Sequence, residues 1–301
     1  MNQAIRHFVR PFIISATVLL LLTCARSILA EALPTLPGFG HGGIPRVKAP
    51  AGASTRELTS TNGWRLQWFA RLAAPRADRD IFFVHGTPGE GGVWNTQFRS
   101  GLTNENLFSY DRPGFGGSQP ARRRPHLQEQ ADALLELLNA ATTNRVLLVG
   151  HSYGSPIALL TALEHPDRVR GVVLIGGDVD PAEEKPWWLQ HVFGLRLLSW
   201  VVPQTLRQCN RELLTVKRDL IALGEKLPDL QVPVVMLHGD RDPLVPVSNV
   251  AWLERRLHGL GKDRLFAKII LPGVNHFIPW QHPADVERAV RRAEAMAEAA
   301  P

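Results

Sequence analysis

Five consecutive residues, Gly150-His151-Ser152-Tyr153-Gly154, constrain this chain more than any other stretch. They follow Val146-Leu147-Leu148-Val149, a short apolar strand signal, and precede Ser155 to Glu164, whose Ala and Leu content reads as a helix. A serine on a sharp strand-to-helix turn is held in a strained, exposed position. The two glycines suit a turn that brings backbone segments too close for a Cβ. The following helix points its N-terminus at the serine, where negative charge is stabilised. The pattern predicts a nucleophilic Ser152, against the plainer alternative of a tight turn with an idle hydroxyl.

A serine hydroxyl is a weak nucleophile near neutral pH and needs a histidine to take its proton and an acid to orient that histidine. On an elbow of this kind the acid and then the histidine follow the serine in the chain. Downstream, the apolar run Val232 to Leu237 leads into His238-Gly239-Asp240-Arg241-Asp242-Pro243. A further strand signal, Arg264 to Leu271, leads into Pro272-Gly273-Val274-Asn275-His276. His276 is the candidate base. Asp242 and Asp240 compete for the acid role, Asp240 having the alternative use of stabilising the turn. Asp178, just past the strand Val172 to Ile175, is a third candidate. All lie where open α/β sheets place their ligands, beyond the carboxyl ends of strands.

The chain resembles the α/β-hydrolase family. The resemblance is carried by His85-Gly86-Thr87-Pro88-Gly89, Tyr110 to Ser118 (YDRPGFGGS), Gly150 to Gly154, Gly239 to Asp242 and Asn275-His276, which run in the family's order. It implies Asp242 as the acid, through the Gly-x-x-Asp pattern, with Asp178 as the alternative some members use. It implies an oxyanion hole made by the backbone N–H groups of Thr87 and Tyr153. His85 is expected to organise its loop by hydrogen bonds and His151 to pack beside the elbow. The Asp111-Arg112-Pro113-Gly114 segment looks like the family's glycine-rich loop, which shapes the pocket. The His-Gly-x-Pro-Gly loop also occurs in epoxide hydrolases and haloalkane dehalogenases, but their nucleophile is an aspartate, and here that place is Ser152.

Alternating strand and helix signals predict an α/β fold: a mostly parallel sheet covered by helices on both faces, with a small helical cap. Arg56 to Thr61 and Trp64 to Arg71 flank Asn62-Gly63, which predicts an antiparallel hairpin with a two-residue turn at one sheet edge. Leu127, Ala131, Leu134, Leu135 and Leu138 are spaced as one face of a helix, and a closing helix runs from about Pro283 to Ala299. The core is expected over 55–181 and 231–301. Between them, residues 182–230 carry little strand signal but many aromatics, and read as a cap whose Trp187 and Trp188 wall the substrate site. Packing of those rings on the core, or a membrane-facing patch, are the other uses.

Composition narrows partners. The formal net charge is +6, but residues 1–30 supply Arg6, Arg10 and Arg26 and no acid, which leaves 31 basic and 28 acidic side chains, a net of +3. That gives no reason to expect nucleic acid, and Arg122-Arg123-Arg124 reads as a solvated loop. No cluster has metal-ligand spacing, so neither metal nor cofactor is expected. Residues 1–30, with an uncharged run from Pro11 to Ala25, look like an export signal, short of the roughly 20 residues that span a bilayer. Cleavage after Ala30, lipidation at Cys24 and an uncleaved anchor are the endings considered, so membrane association would run through the N-terminus. Residues 31–54, rich in Gly, Pro and Ala, read as a linker. Without Cys24, only Cys209 remains and no intrachain disulfide forms.

The expectation is therefore an exported serine hydrolase acting on an uncharged carboxylic ester with a hydrophobic part. The same site could serve a thioester, lactone, amide, C–C bond or peracid. A non-catalytic ligand-binding surface lipoprotein is the rival from another class.

Overall fold

The computed structural model describes residues 49–61, 63–75, 77–119, 126–184 and 204–299. The N-terminal leader, most of the linker, the Arg122–Arg124 run, and Trp187 and Trp188 lie outside these residues.

Eight strands form one sheet in the order β1-β2-β4-β3-β5-β6-β7-β8. They are β1 (Ser54–Thr59), β2 (Arg65–Arg71), β3 (Asp80–Val84), β4 (Asn106–Tyr110), β5 (Val146–His151), β6 (Val169–Ile175), β7 (Val234–Gly239) and β8 (Phe266–Leu271). β1 pairs antiparallel with β2, and β2 with β4; every other pair is parallel. The parallel strands are apolar on both faces because both faces are covered. Phe82, Val84, Leu148, Val172, Leu174, Val234 and Met236 point into one core. Ile81, Phe83, Leu147, Val149, Val173, Ile175, Val235 and Leu237 point into the other. This is the strand period of two, read twice.

Among the described residues, five longer helices accompany the sheet: α1 (Leu127–Ala141), α2 (Gly154–Glu164), α3 (Gln204–Lys226), α4 (Ser248–Gly259) and α5 (Pro283–Glu298). The first four cover one face. α5 covers the other with Val286, Ala289, Val290 and Ala293, beside Trp94, Phe98 and Ile278. α3 is anchored rather than laid on the surface: Val216, Leu220 and Leu223 are buried in the core shared with α1 and α2. Ahead of them on the same helix, Gln208, Cys209 and Glu212 are also buried.

Two expectations need correction. The hairpin forms, but its strands end at Thr59 and restart at Arg65, so the connection is longer than two residues. Ser60 and Trp64 close it, with the Ser60 N–H donating to the Trp64 carbonyl at 2.6 Å and the Ser60 hydroxyl accepting from the Trp64 N–H at 3.0 Å. Gly63 supplies a positive φ of 75°. On α1 the buried face includes Leu137 and leaves Leu135 only half-buried. The reason is that α1 is contacted by the sheet-covering α2 and by α3, so its buried arc is broader than one stripe and is shifted.

Candidate active site

Ser152 stands between the end of β5 and the start of α2 with φ of +53°, the one positive φ outside glycine among the described residues. A left-handed conformation costs a non-glycine residue on the order of 1–2 kcal/mol, so the surrounding packing must impose it. It does so through the glycines. A Cβ on Gly150 would collide with the Gly154 carbonyl, and one on Gly154 with the Val84 carbonyl of the neighbouring β3. The Ser152 N–H donates to Ile175 O at the end of β6 (2.9 Å), and the Ser155 hydroxyl donates back to Gly150 O (3.0 Å).

The carboxyl ends of β6, β7 and β8 bring Asp242 and His276 together. His276 Nδ1–H donates to Asp242 Oδ2 at 2.6 Å, and both side chains are buried. Asp242 Oδ1 accepts the N–H groups of Leu244 (2.8 Å) and Val245 (2.9 Å). Burial pushes the Asp242 carboxyl up, but the hydrogen bond and charge of His276 and those two N–H groups outweigh it and hold it below its ordinary value. The pair lies against the elbow. Gly176, next to Ile175, has φ of +52°, and a Cβ there would sit 3.2 Å from His276 Nδ1 and 3.4 Å from Asp242 Oδ2.

The other two acids are engaged elsewhere. Asp240 Oδ1 accepts the Gly273 N–H at 2.6 Å, tying the β7 loop to the β8 loop. Asp178 is buried with Glu184, and burial, followed by that neighbouring carboxyl, raises it well above its ordinary value. Two further histidines support the base loop. His151 Nε2–H donates to the His276 carbonyl (3.0 Å), and its ring meets Trp280 edge-on at 5.2 Å. Burial, then the positive potential of His276, lowers His151 to about 3, so it is neutral. His238 Nε2–H donates to Val245 O at 3.0 Å, and burial lowers it too.

The loop after β3 also approaches Ser152, so closely that a Cβ on Gly86 would lie 2.9 Å from Ser152 Cβ. Thr87 follows directly, with its hydroxyl buried. Tyr153 caps the N-terminus of α2, and its ring is buried. The structure thus places Thr87 and Tyr153 on the two segments that flank Ser152.

Sequence reasoning names Arg112 only as part of a pocket-shaping loop and does not reach Glu212. Arg112 and Glu212 are fully buried and form a bidentate ion pair at 2.8 and 3.2 Å, joining the loop after β4 to α3. The Arg112 N–H donates to His85 Nε2 (3.0 Å), which leaves Nδ1–H of His85 to donate to Gly86 O (2.8 Å). Burial, then Arg112, lowers His85 well below its ordinary value, so it stays neutral. Arg112 Nη2 also donates to Gly86 O at 3.0 Å. A buried arginine requires a counter-ion, but nothing local marks Glu212, which is 100 residues away. Among the described residues, no group of three His, Cys, Asp or Glu could hold a metal ion.

Comparison with known proteins sets these residues in context. The model of the alpha/beta hydrolase family matches residues 81–289. The chain is 33% identical over 114 residues to a provisionally named carbamate hydrolase, RutD, of Pantoea ananatis, a match covering 36% of this chain and 41% of that protein. The chain therefore spans about two fifths of that relative's length. It is 23% identical over 214 residues to the pimeloyl-[acyl-carrier protein] methyl ester esterase of Nitrosomonas europaea, covering 59% of this chain and 83% of that one. A solved structure of a provisionally named lipase from Acinetobacter baumannii superposes with a TM-score of 0.64 at 18% identity, covering 82% of this chain and 93% of that chain, a likeness of fold.

Proposed function

The chain belongs to the alpha/beta hydrolase family, and from that premise we propose that it is a serine hydrolase that cleaves a carboxylic ester with an apolar part through an acyl-enzyme. The observation that carries this reading is the 2.6 Å hydrogen bond between His276 and Asp242 beside a serine held at positive φ. With Nδ1–H committed to Asp242, the other ring nitrogen of His276 is left to take the Ser152 proton. Ser152 Oγ then bonds to the carbonyl carbon, and the Thr87 and Tyr153 N–H groups bind the oxyanion. Collapse breaks the ester bond, with His276 returning the proton to the departing alcohol. Water, deprotonated by His276, then releases the acid and restores Ser152. Asp242 keeps the imidazole in the required tautomer and stabilises its charged form.

The ester is favoured over other acyl groups by the esterase among the relatives. The carbamate hydrolase among them favours, as a second reading, attack on a carbamate or amide by the same Ser152. Trp187 and Trp188 are the proposed apolar wall, and the leader at residues 1–30 the proposed export signal. No helix among the described residues is long and apolar enough to cross a membrane.

Hydrolysis of p-nitrophenyl esters from acetate to palmitate, with Ser152→Ala alongside, tests the proposal. Turnover lost in the variant supports it. Undiminished turnover in Ser152→Ala refutes the nucleophile. Labelling of Ser152 by a fluorophosphonate without turnover of any ester moves the reading to the carbamate or amide. Absence of both labelling and turnover favours a binding protein.

A further inference from the structure

The Arg112–Glu212 pair touches neither Asp242 nor His276, so the triad does not explain it. Its placement does. Arg112 Nη2 donates to Gly86 O, and His85 Nδ1–H donates to the same oxygen. That oxygen belongs to the Gly86–Thr87 peptide, whose other end is the Thr87 N–H. A trans peptide is a rigid plane whose C=O and N–H point in opposite directions, and this one is not among the cis bonds. Two donors on the oxygen therefore fix the direction of the nitrogen's hydrogen. They also polarise the peptide, which makes its N–H a stronger donor.

The guanidinium is itself held on every side. Glu212 grips it with two oxygens, and the rings of Phe115 and Tyr153 lie 4.7 and 5.1 Å from it. Tyr153 carries the second N–H of the proposed oxyanion site, so one cation contacts the segments that supply both. Glu212 belongs to α3, the one described helix that approaches the site from the span between β6 and β7.

Resting on the serine-hydrolase reading above, we infer that Arg112 is a positioning residue that aims the Thr87 N–H at the oxyanion, and that Glu212 makes the docking of α3 a condition for acyl transfer. A single truncation would leave a buried unpaired charge and could unfold the chain, whereas replacing both partners by apolar residues is often tolerated. The test therefore uses the double variant Arg112→Met with Glu212→Leu, beside Arg112→Lys, which keeps a cation for Glu212 but not the planar fork. Each is compared with wild type for melting temperature, kcat and KM on the best p-nitrophenyl ester. Inhibition is measured with the alkylboronic acid of matching length, which forms a tetrahedral adduct on serine, and with the corresponding carboxylate, which does not.

The expected result is a folded double variant with kcat lowered about 30-fold, KM within about threefold, and boronic acid affinity lowered in step with kcat. Carboxylate affinity stays level, and Arg112→Lys falls between. If the double variant does not fold, Arg112→Lys carries the same readouts. A folded variant with kcat within threefold of wild type overturns the inference, as does equal weakening of boronic acid and carboxylate, which would mean damage to the pocket alone. Wild type that turns over esters beside an unaffected variant sinks this inference only. Wild type whose activity survives Ser152→Ala sinks the reading it rests on.

Discussion

The two flanks of Ser152 are built from opposite electrostatic materials. On one side a single carboxylate, Asp242, lies among His276, His151 and His238, with His151 lowered to about 3 and His238 lowered by burial. On the other, Arg112 and Glu212 are fully buried and paired through two hydrogen bonds, beside a neutral His85. In the proposed mechanism the first flank gains and loses a proton in each turnover. The second flank, in the same mechanism, stabilises an oxyanion without changing: burial lowers Arg112, but Glu212 outweighs it and raises the arginine above its already high ordinary value, so it does not titrate. A labile and an invariant neighbourhood are thereby proposed beside one serine, with Gly86 and Gly176 letting both approach.

Substitutions at these positions can break that contrast or sharpen it. Asp242→Asn should have the largest effect, lowering kcat by about 10⁴-fold in a protein that still folds, because the imidazole loses its tautomer; circular dichroism and ester turnover together check it. Gly86→Ala strikes the boundary between the flanks, where the new Cβ would lie 2.9 Å from Ser152 Cβ and 3.0 Å from His151 O. A shift of the oxyanion loop should cost about 10²-fold in kcat, measured against KM. His151→Gln probes the labile flank through stability. Wild-type His151, at about 3 in the fold and 6.5 unfolded, binds its proton only in the unfolded chain between these values. Its contribution is complete above pH 6.5 and lost as pH falls towards 3. The stability gap between wild type and variant should therefore shrink by about 2 kcal/mol from pH 6.5 to pH 5, read by urea denaturation at each pH. A gap independent of pH would show that His151 is not held neutral. Asp240→Asn should be mildest, loosening the Gly273 turn by about 1 kcal/mol with kcat within twofold. A loss comparable to that of Asp242→Asn would reverse the assignment of the acid.

The sequence marks the side of the candidate site that holds Ser152, Asp242 and His276 more openly than the side that holds Arg112 and Glu212. Ser152 announces itself because strand, turn and helix are contiguous, and His276 because it follows a strand at the end of the chain. Asp242 and Asp240, two residues apart in one loop, look alike in sequence; in the structure Asp242 meets His276 while Asp240 accepts the Gly273 N–H. The strands were readable because both faces are buried, which makes them continuous apolar runs. The hairpin connection is longer than two residues because Ser60 and Trp64 close it through backbone and side chain, with Gly63 at positive φ between them. Leu135 and Leu137 were exchanged because a helix held between several neighbours has no single apolar stripe. Arg112 is legible only as part of its motif, and its partner Glu212 is not legible at all, because it lies 100 residues away with no unusual local context.

The anchoring of α3 has a kinetic consequence. Val216, Leu220 and Leu223 are buried in the core, and re-exposing three such side chains costs about 2 kcal/mol each. Swinging the whole helix away would cost about 6 kcal/mol, so roughly one molecule in 10⁴ would have it open at any instant. On that figure α3 stays docked in nearly every molecule, and passage of the proposed substrate and product is expected to rely on motions that leave its buried row of side chains in place.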